Sequence, residues 1–413
     1  MRVAVFTDSF YPELGGIQDS VLAMTRALGE RGHEIVVCAP ASARRDYEIA
    51  SLPVAEADLG ANVSVRRFFS LPIPSSTGQS RLVLPTGRRW RELAGFRPDI
   101  VHTHTFLGAG WEAVSVARRL RVPIVGTNHW AIGEFGAYIP FAAALFARTS
   151  VKAVTSYYNR CAFVTGPSRS VVDEMQAHGL RRPFAVVSNP IDTSLFHPST
   201  LAEKISLKLR LGFSNATILY AGRLAIEKNI DVLIRAVALL KRNVPDVMLA
   251  LAGHGTARDR LERLARELDI ADRLRFLGTL DKTALADAYQ GADVFAIAST
   301  SETQSMVLLQ AMSSGLPAVG ARWRALTEYI PSVAGLLAEP GNAEDFAAKL
   351  ETILRQRSVR ESMGHHAART AQRFSTSNVI ETWEDIYAST IRAARRGSHA
   401  WRGCTEAHEG PLP

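Results

Sequence analysis

Short apolar runs recur along the chain, and most are followed by a stretch whose apolar residues return at the helical period. Val3-Ala4-Val5-Phe6 opens the first run, 17–28 is helical by period, and Arg31-Gly32-His33 stops that helix before a strand at 34–39. This strand–helix–strand start predicts a doubly wound α/β sheet. Further strands are predicted at 98–104, 122–127, 162–166 and 185–187. The polar, proline-bearing stretch 193–214 predicts an interdomain linker running into a short helix. A second set of strands follows at 217–221, 247–252, 275–280, 292–297, 318–319 and 335–337, with a helix at 231–240. The pattern predicts two α/β domains, 1–192 and 193–375. After them come an amphipathic helix at 376–396, with Val379, Ile380, Trp383, Ile386, Tyr387 and Ile391, and a loose tail at 397–413.

Length agrees with two domains, since 413 residues exceed the ~250–300 at which one core stops growing. Hydrophobic residues at 47% and charged residues at 21% fit a soluble globular protein. Met1-Arg2 leads straight into a strand, so no secretory signal is expected, and no run approaches the ~20 apolar residues of a membrane span. Cys38, Cys161 and Cys404 are too scattered for a disulfide framework or a metal motif, which suits a reducing cytoplasm. Charge changes the picture more. Residues 1–190 hold 21 Lys+Arg against 15 Asp+Glu, a net of +6, whereas the remainder holds 27 against 25. A basic first half argues for an anionic partner: phosphate, nucleic acid or an acidic membrane surface. No aromatic-plus-basic RNA motif accompanies it, so nucleic acid is not expected.

The stretch 298–319 carries the most pointed chemistry. A strand ends near Ile297, Ser299-Thr300-Ser301 supply helix-capping hydroxyls, and Met306, Leu309 and Met312 recur at helical spacing until Gly315-Leu316-Pro317. Glu302 sits at the mouth of that helix. Free N–H groups and the helix dipole there favour phosphate, and a carboxylate accepts hydrogen bonds from hydroxyls. A nucleotide-sugar offers both; a carboxylate complementing the dipole of an ordinary helix is the plainer reading. Arg223 and Lys228, five residues apart around a turn, can converge on one polyanion or lie solvated on the surface. Gly15-Gly16 before a helix lets the backbone approach a phosphate, but G-x-G-x-x-G is absent, so no dinucleotide cofactor is expected. His102 and His104 share one strand face without a Cys or carboxylate cluster, so no metal is expected. Asn128-His129-Trp130 follow a strand, where open α/β sheets bind ligands.

Glu302-Thr303-Gln304-Ser305 through Gln310, then Ser314-Gly315-Leu316-Pro317, resembles the E-x7-E segment of the family 4 retaining glycosyltransferases. Gly222-Arg223-Leu224 with Glu227-Lys228-Asn229, the Gly-Gly turn and the glycines at 253 and 255 resemble the same family, in order along nearly the whole chain. The resemblance implies the GT-B fold, two Rossmann-like domains facing across a cleft, with the terminal helix returning to the first. It implies that Arg223 and Lys228 bind the donor diphosphate and Glu302 the sugar hydroxyls. His129 would face the reaction centre, with Asn128 and Trp130 on the acceptor side. Gly15, Gly16, Gly222, Gly278, Thr303, Gln304, Ser305 and Gln310 would line the donor site. Gln310 stands where the family has a ribose-binding Glu, and Ser305 where it usually has Gly.

The implied reaction is hexose transfer with retention, from a UDP- or GDP-sugar to a hydroxyl, without a metal or other cofactor. The net of +6 and the apolar, aromatic segment 130–146 point to a membrane lipid acceptor, such as diacylglycerol or phosphatidylinositol, met peripherally on the inner face of the cell membrane. That segment also reads as an ordinary core helix, and a soluble sugar or polysaccharide acceptor fits the same motifs. A non-catalytic nucleotide-sugar-binding protein and a UDP-sugar epimerase are the readings from other classes. The motifs leave the donor base, the sugar and the oligomeric state open.

Overall fold

The computed structural model describes residues 1–50, 52–75, 78–130 and 143–396. They fall into two compact units: Met1–Pro190 with the chain from Thr376 onward, and Ile191–Ser375.

The first unit is built on a parallel sheet of seven strands. These are β1 (Arg2–Phe6), β2 (Glu34–Pro40), β3 (Val63–Phe68), β6 (Ile100–Thr103), β7 (Ile124–Thr127), β8 (Phe163–Gly166) and β9 (Phe184–Val186), in the order β3-β2-β1-β6-β7-β8-β9. The central strands β6, β7 and β8 are buried along their whole length, which is why they read as unbroken apolar or small-residue runs. Strand β3 went unread because its outward residues, Ser64 and Arg66, break the apolar run at the sheet edge. Two further strands, β4 (Ser70–Pro72) and β5 (Arg81–Val83), form a separate antiparallel ribbon that the hydrophobic pattern also does not announce. Three-residue strands are too short to show a period.

The helix Thr376–Arg395 belongs to this unit. Val379, Ile380, Trp383, Ile386, Tyr387 and Ile391 are buried in one cluster with Val3, Val5, Met24 and Leu28. Arg31 pairs with Glu381 and Glu384 at 3.3 Å, and His33 Nε2 lies 2.7 Å from Glu384.

The second unit repeats the plan with β10 (Ala216–Ala221), β11 (Val247–Ala252), β12 (Leu274–Gly278), β13 (Val294–Ile297), β14 (Ala318–Ala321) and β15 (Gly335–Ala338), all parallel, in the order β12-β11-β10-β13-β14-β15. The segment 193–214 runs into a short helix, as its sequence suggests. Half of it is the helix Leu201–Leu211, opened by a capping box in which Thr200 and Glu203 satisfy each other's backbone N–H groups. Lys208 anchors it through Asp293 at 2.5 Å.

In each sheet the strand order reverses at one place, between β1 and β6 and between β10 and β13. Flanking crossovers leave in opposite directions there and open a crevice at the carboxyl ends of the strands, where open α/β sheets bind ligands. Both clusters of reactive side chains lie at these two switch points.

Candidate active site

In the second unit the loops after β10 and β13 meet. The turn after β10 is backbone-dense. Gly222 has φ 139°, Gly253 has φ 140°, and a Cβ on Gly253 would stand 1.9 Å from the Gly222 carbonyl oxygen. Only glycine lets the loops after β10 and β11 run this close. The Tyr220 hydroxyl donates to the Arg223 carbonyl at 2.9 Å, and Leu224 N–H donates to the His254 carbonyl at 2.9 Å. Arg223 pairs with Glu227 at 2.7 Å and is about one-third exposed. Lys228 Nζ donates to Glu302 Oε1 at 2.7 Å, with both side chains mostly buried. Asn229, held at φ 49°, donates to the Ala298 carbonyl and to Thr300 Oγ1, both at 3.3 Å, and so ties the two loops together. The structure therefore brings Lys228 and Glu302 together, while Arg223 keeps its own carboxylate.

The helix after β13 is Met306–Ser313, and its N-cap is Ser305, which accepts from Leu308 N–H at 3.4 Å. This corrects the capping expected of the hydroxyls at 299–301. Ser299 and Ser301 bond one another at 3.3 Å and turn the chain as it leaves β13. The serine at 305 is thus a cap, a role the family's glycine fills less well. Thr303 is half-buried and Gln304 buried just before that cap. Gln310 is buried, and its carbonyl oxygen accepts from the Tyr289 hydroxyl at 3.4 Å. Gly278, at φ 71°, ends β12 and receives Gly253 N–H at 2.7 Å.

In the first unit Gly15 and Gly16 are exposed at the start of the helix Gly16–Glu30, with Asp19 in its first turn. Three buried histidines gather beside β1. His102 is pinned at both ring nitrogens, by the Tyr387 hydroxyl at 2.6 Å and Thr127 Oγ1 at 2.7 Å. His104 Nδ1 lies 2.9 Å from His129 Nε2, with the rings stacked. Burial holds all three neutral: it lowers His129 to about 4 and the other two well below the usual histidine range. Asn128 is buried and donates its N–H to the Thr165 carbonyl at 2.9 Å, while its side chain accepts from Trp130 N–H at 3.1 Å. The segment 131–142 lies outside the described residues.

Sequence reading missed Asp8. Its carboxylate accepts the Thr105 hydroxyl at 2.8 Å and Ala109 N–H at 3.1 Å, capping the helix Gly108–Leu120, and burial pushes it up to about 6. A polar triplet, Thr7-Asp8-Ser9, directly after a buried strand was the available signal.

Comparison with known proteins gives the family. Residues 14–195 match the family model described as Glycosyltransferase Family 4, and residues 203–370 match that described as Glycosyl transferases group 1. The chain is a family 4 glycosyltransferase with the two-domain, Rossmann-like GT-B fold. It is 28% identical over 382 residues to a sulfoquinovosyl transferase of Arabidopsis thaliana, covering 90% of this chain and 70% of that protein. It is 27% identical over 330 residues to an alpha-monoglucosyldiacylglycerol synthase of Acholeplasma laidlawii, covering 77% and 80%. The crystal structure of Anabaena HepE in complex with UDP and glucose matches in fold with a TM-score of 0.72 at 21% identity, covering 94% of this chain and all of that one.

Proposed function

We propose that this glycosyltransferase moves a hexose, with retention, from a nucleotide-diphosphate sugar to a hydroxyl of a membrane lipid. The observation that carries the donor side is the Lys228–Glu302 bond at the switch point of the second sheet. A diphosphate entering there would draw Lys228 away from Glu302. The ammonium would then meet phosphate, and the released carboxylate would accept sugar hydroxyls. Arg223 beside it would add a bidentate grip, and the N–H groups that open the helix Met306–Ser313 would add a further positive field. As the glycosidic bond to phosphate breaks, charge grows on the leaving oxygen, and these groups would stabilise it. That field makes a metal unnecessary, so turnover is expected to survive EDTA.

The acceptor side is supported by the lipid-directed relative from Acholeplasma, by the basic first half and by the β4–β5 ribbon. Ser70 and Val83 turn inward on the ribbon, while Phe69, Leu71 and Leu84 are exposed. Arg66 before the ribbon and Arg88 and Arg91 after it are exposed too. Apolar tips flanked by arginines suit shallow insertion into an anionic leaflet. Among the described residues no helix is long and apolar enough to cross a membrane, which agrees with peripheral contact.

The test is a panel of UDP-, GDP- and ADP-sugars offered with and without diacylglycerol and phosphatidylinositol vesicles. One donor is expected to yield a glycolipid of retained configuration. Transfer only to soluble sugars overturns the lipid reading, and donor isomerisation without transfer overturns the reaction.

A further inference from the structure

A partly open pocket with a cavity of about 60 Å³ lies at the switch point of the first sheet, lined by Asp8, Ser9, Ser80, Arg81, His104 and Thr105 among others. His104 is 2% exposed, and its Nε2 has no hydrogen-bond partner among the described residues. Leaving such a buried polar atom unsatisfied costs on the order of 1–3 kcal/mol, so a site that keeps one is poised for a ligand group.

The lining says which group. Its hydroxyls are already committed as donors: Thr105 to Asp8 at 2.8 Å, Ser80 to Glu13 at 3.0 Å, and Thr7 to the Ser9 carbonyl at 2.7 Å. Thr105 also accepts Leu107 N–H and Thr7 accepts Ser9 N–H, both at 3.1 Å, so what these hydroxyls still offer is the remaining acceptor lone pairs, beside the Asp8 carboxylate. An anion is therefore repelled, and buried His104 is neutral and attracts none. A cation meets the Arg81 guanidinium, which is held in place by Asp46 at 3.1 Å and the Ser70 hydroxyl at 2.8 Å. A neutral hydroxyl satisfies every one of these constraints.

We propose that this cavity is a subsite for a hydroxyl of the acceptor, that His104 Nε2 receives that hydroxyl's proton in a hydrogen bond, and that His104 passes the choice of tautomer to His129. The proposal rests on the transferase reading given above. With Nε2 accepting, His104 carries its proton on Nδ1 and donates it to His129 Nε2 across the 2.9 Å contact. His129 then holds its own proton on Nδ1. No proton leaves the pair; occupancy of the cavity selects one of two neutral arrangements. The β4–β5 ribbon, which supplies Arg81 to the lining, thereby joins the acceptor's outer contact to its hydroxyl contact.

Two variants separate the two nitrogens. His104→Asn keeps an amide near the Nδ1 position, facing His129, and loses the unpartnered Nε2. His104→Gln carries an amide out to the Nε2 position. For the acceptor found active in the panel, His104→Asn is expected to raise KM about 10-fold while the donor KM is unchanged, and His104→Gln to stay within about 3-fold of the parent. Independently of turnover, long-range ¹H–¹⁵N spectra of the imidazoles are recorded with glycerol and myo-inositol as hydroxyl probes. Saturating probe is expected to move His104 Nε2 toward the acceptor position and His129 to its Nδ1–H form. Spectra that respond while no lipid is glycosylated would support the subsite and overturn only the lipid reading. Spectra indifferent to both probes, or an acceptor KM unaltered in His104→Asn, overturn the subsite.

Discussion

Lys228 and Glu302, 74 residues apart in the chain, meet at 2.7 Å across the place where the second sheet reverses its strand order. Each is mostly buried, so the pair holds two opposite charges ready at the mouth of a helix. Replacing Lys228 or Arg223 by Ala is expected to lower kcat ~100-fold or more, the usual effect of removing one preorganised charge-stabilising donor. Single-turnover assays at saturating donor measure it. Near-normal turnover in both variants would remove the two cations from the reaction.

Gln310 gives a gain-of-function prediction. It is neutral where the family has Glu, and its carbonyl oxygen already accepts from Tyr289. A carboxylate at this position keeps that bond and accepts ribose hydroxyls with charge assistance. Gln310→Glu is expected to lower the donor KM several-fold without changing the acceptor KM. An unchanged or higher donor KM places the ribose elsewhere.

How much of this was legible in the chain differs by element. The central strands could be read because both of their faces are buried: Val294-Phe295-Ala296-Ile297 has no polar residue to confuse the pattern. Arg223 and Lys228 could be picked out because one turn sets their spacing, and Glu302 because it stands just ahead of a helix; the bond that joins Lys228 to Glu302, across 74 residues, could not. Legibility ended where contacts are long-range and side chains polar. Nothing in the sequence pairs His104 with His129, or seats His102 against Tyr387, 285 residues away. The helix Leu201–Leu211 was legible only as a short helix without bounds, because one of its faces, Leu201, Ile205 and Leu209, stays exposed and blurs the amphipathic stripe.

Asp8 makes the pH dependence of stability testable. Burial raises its pKa from 3.8 to about 6, so between these values the folded protein holds a proton that the unfolded chain has lost. The stability this contributes is complete below 3.8 and is lost as pH rises through 6. Asp8→Asn abolishes the effect while its amide oxygen still caps Ala109. The buried histidines are common to both proteins and drop out of the difference. Urea unfolding at pH 4.5 and 7.5 is expected to show the parent losing about 2 kcal/mol relative to the variant on going to the higher pH. A pH-independent difference would mean that Asp8 titrates normally.

The last prediction concerns the bilayer. Phe69 is 64% exposed and Leu71 44% exposed on a ribbon whose other face is buried, so neither is needed to fold the unit. Exposed arginines near an anionic leaflet contribute ~1 kcal/mol each, and Arg66, Arg88 and Arg91 flank the ribbon. The apolar tips add ~1–2 kcal/mol if they insert only partly. Binding should then be peripheral, should need anionic lipid, and should weaken as salt shortens the Debye length from ~30 Å at 0.01 M to ~8 Å at 0.15 M. In vesicle flotation, replacing Phe69 and Leu71 together by Ser is expected to cut binding ~10-fold at both salt concentrations, because burial of apolar surface is not screened. Replacing Arg88 and Arg91 by Gln is expected to cut it ~10-fold or more at low salt and much less at 0.15 M. This split distinguishes insertion from charge attraction acting alone. If the serine variant floats like its parent while the glutamine variant does not, the ribbon lies clear of the membrane and the arginines alone hold the protein there. If neither variant differs from its parent, the first unit meets its acceptor through another surface.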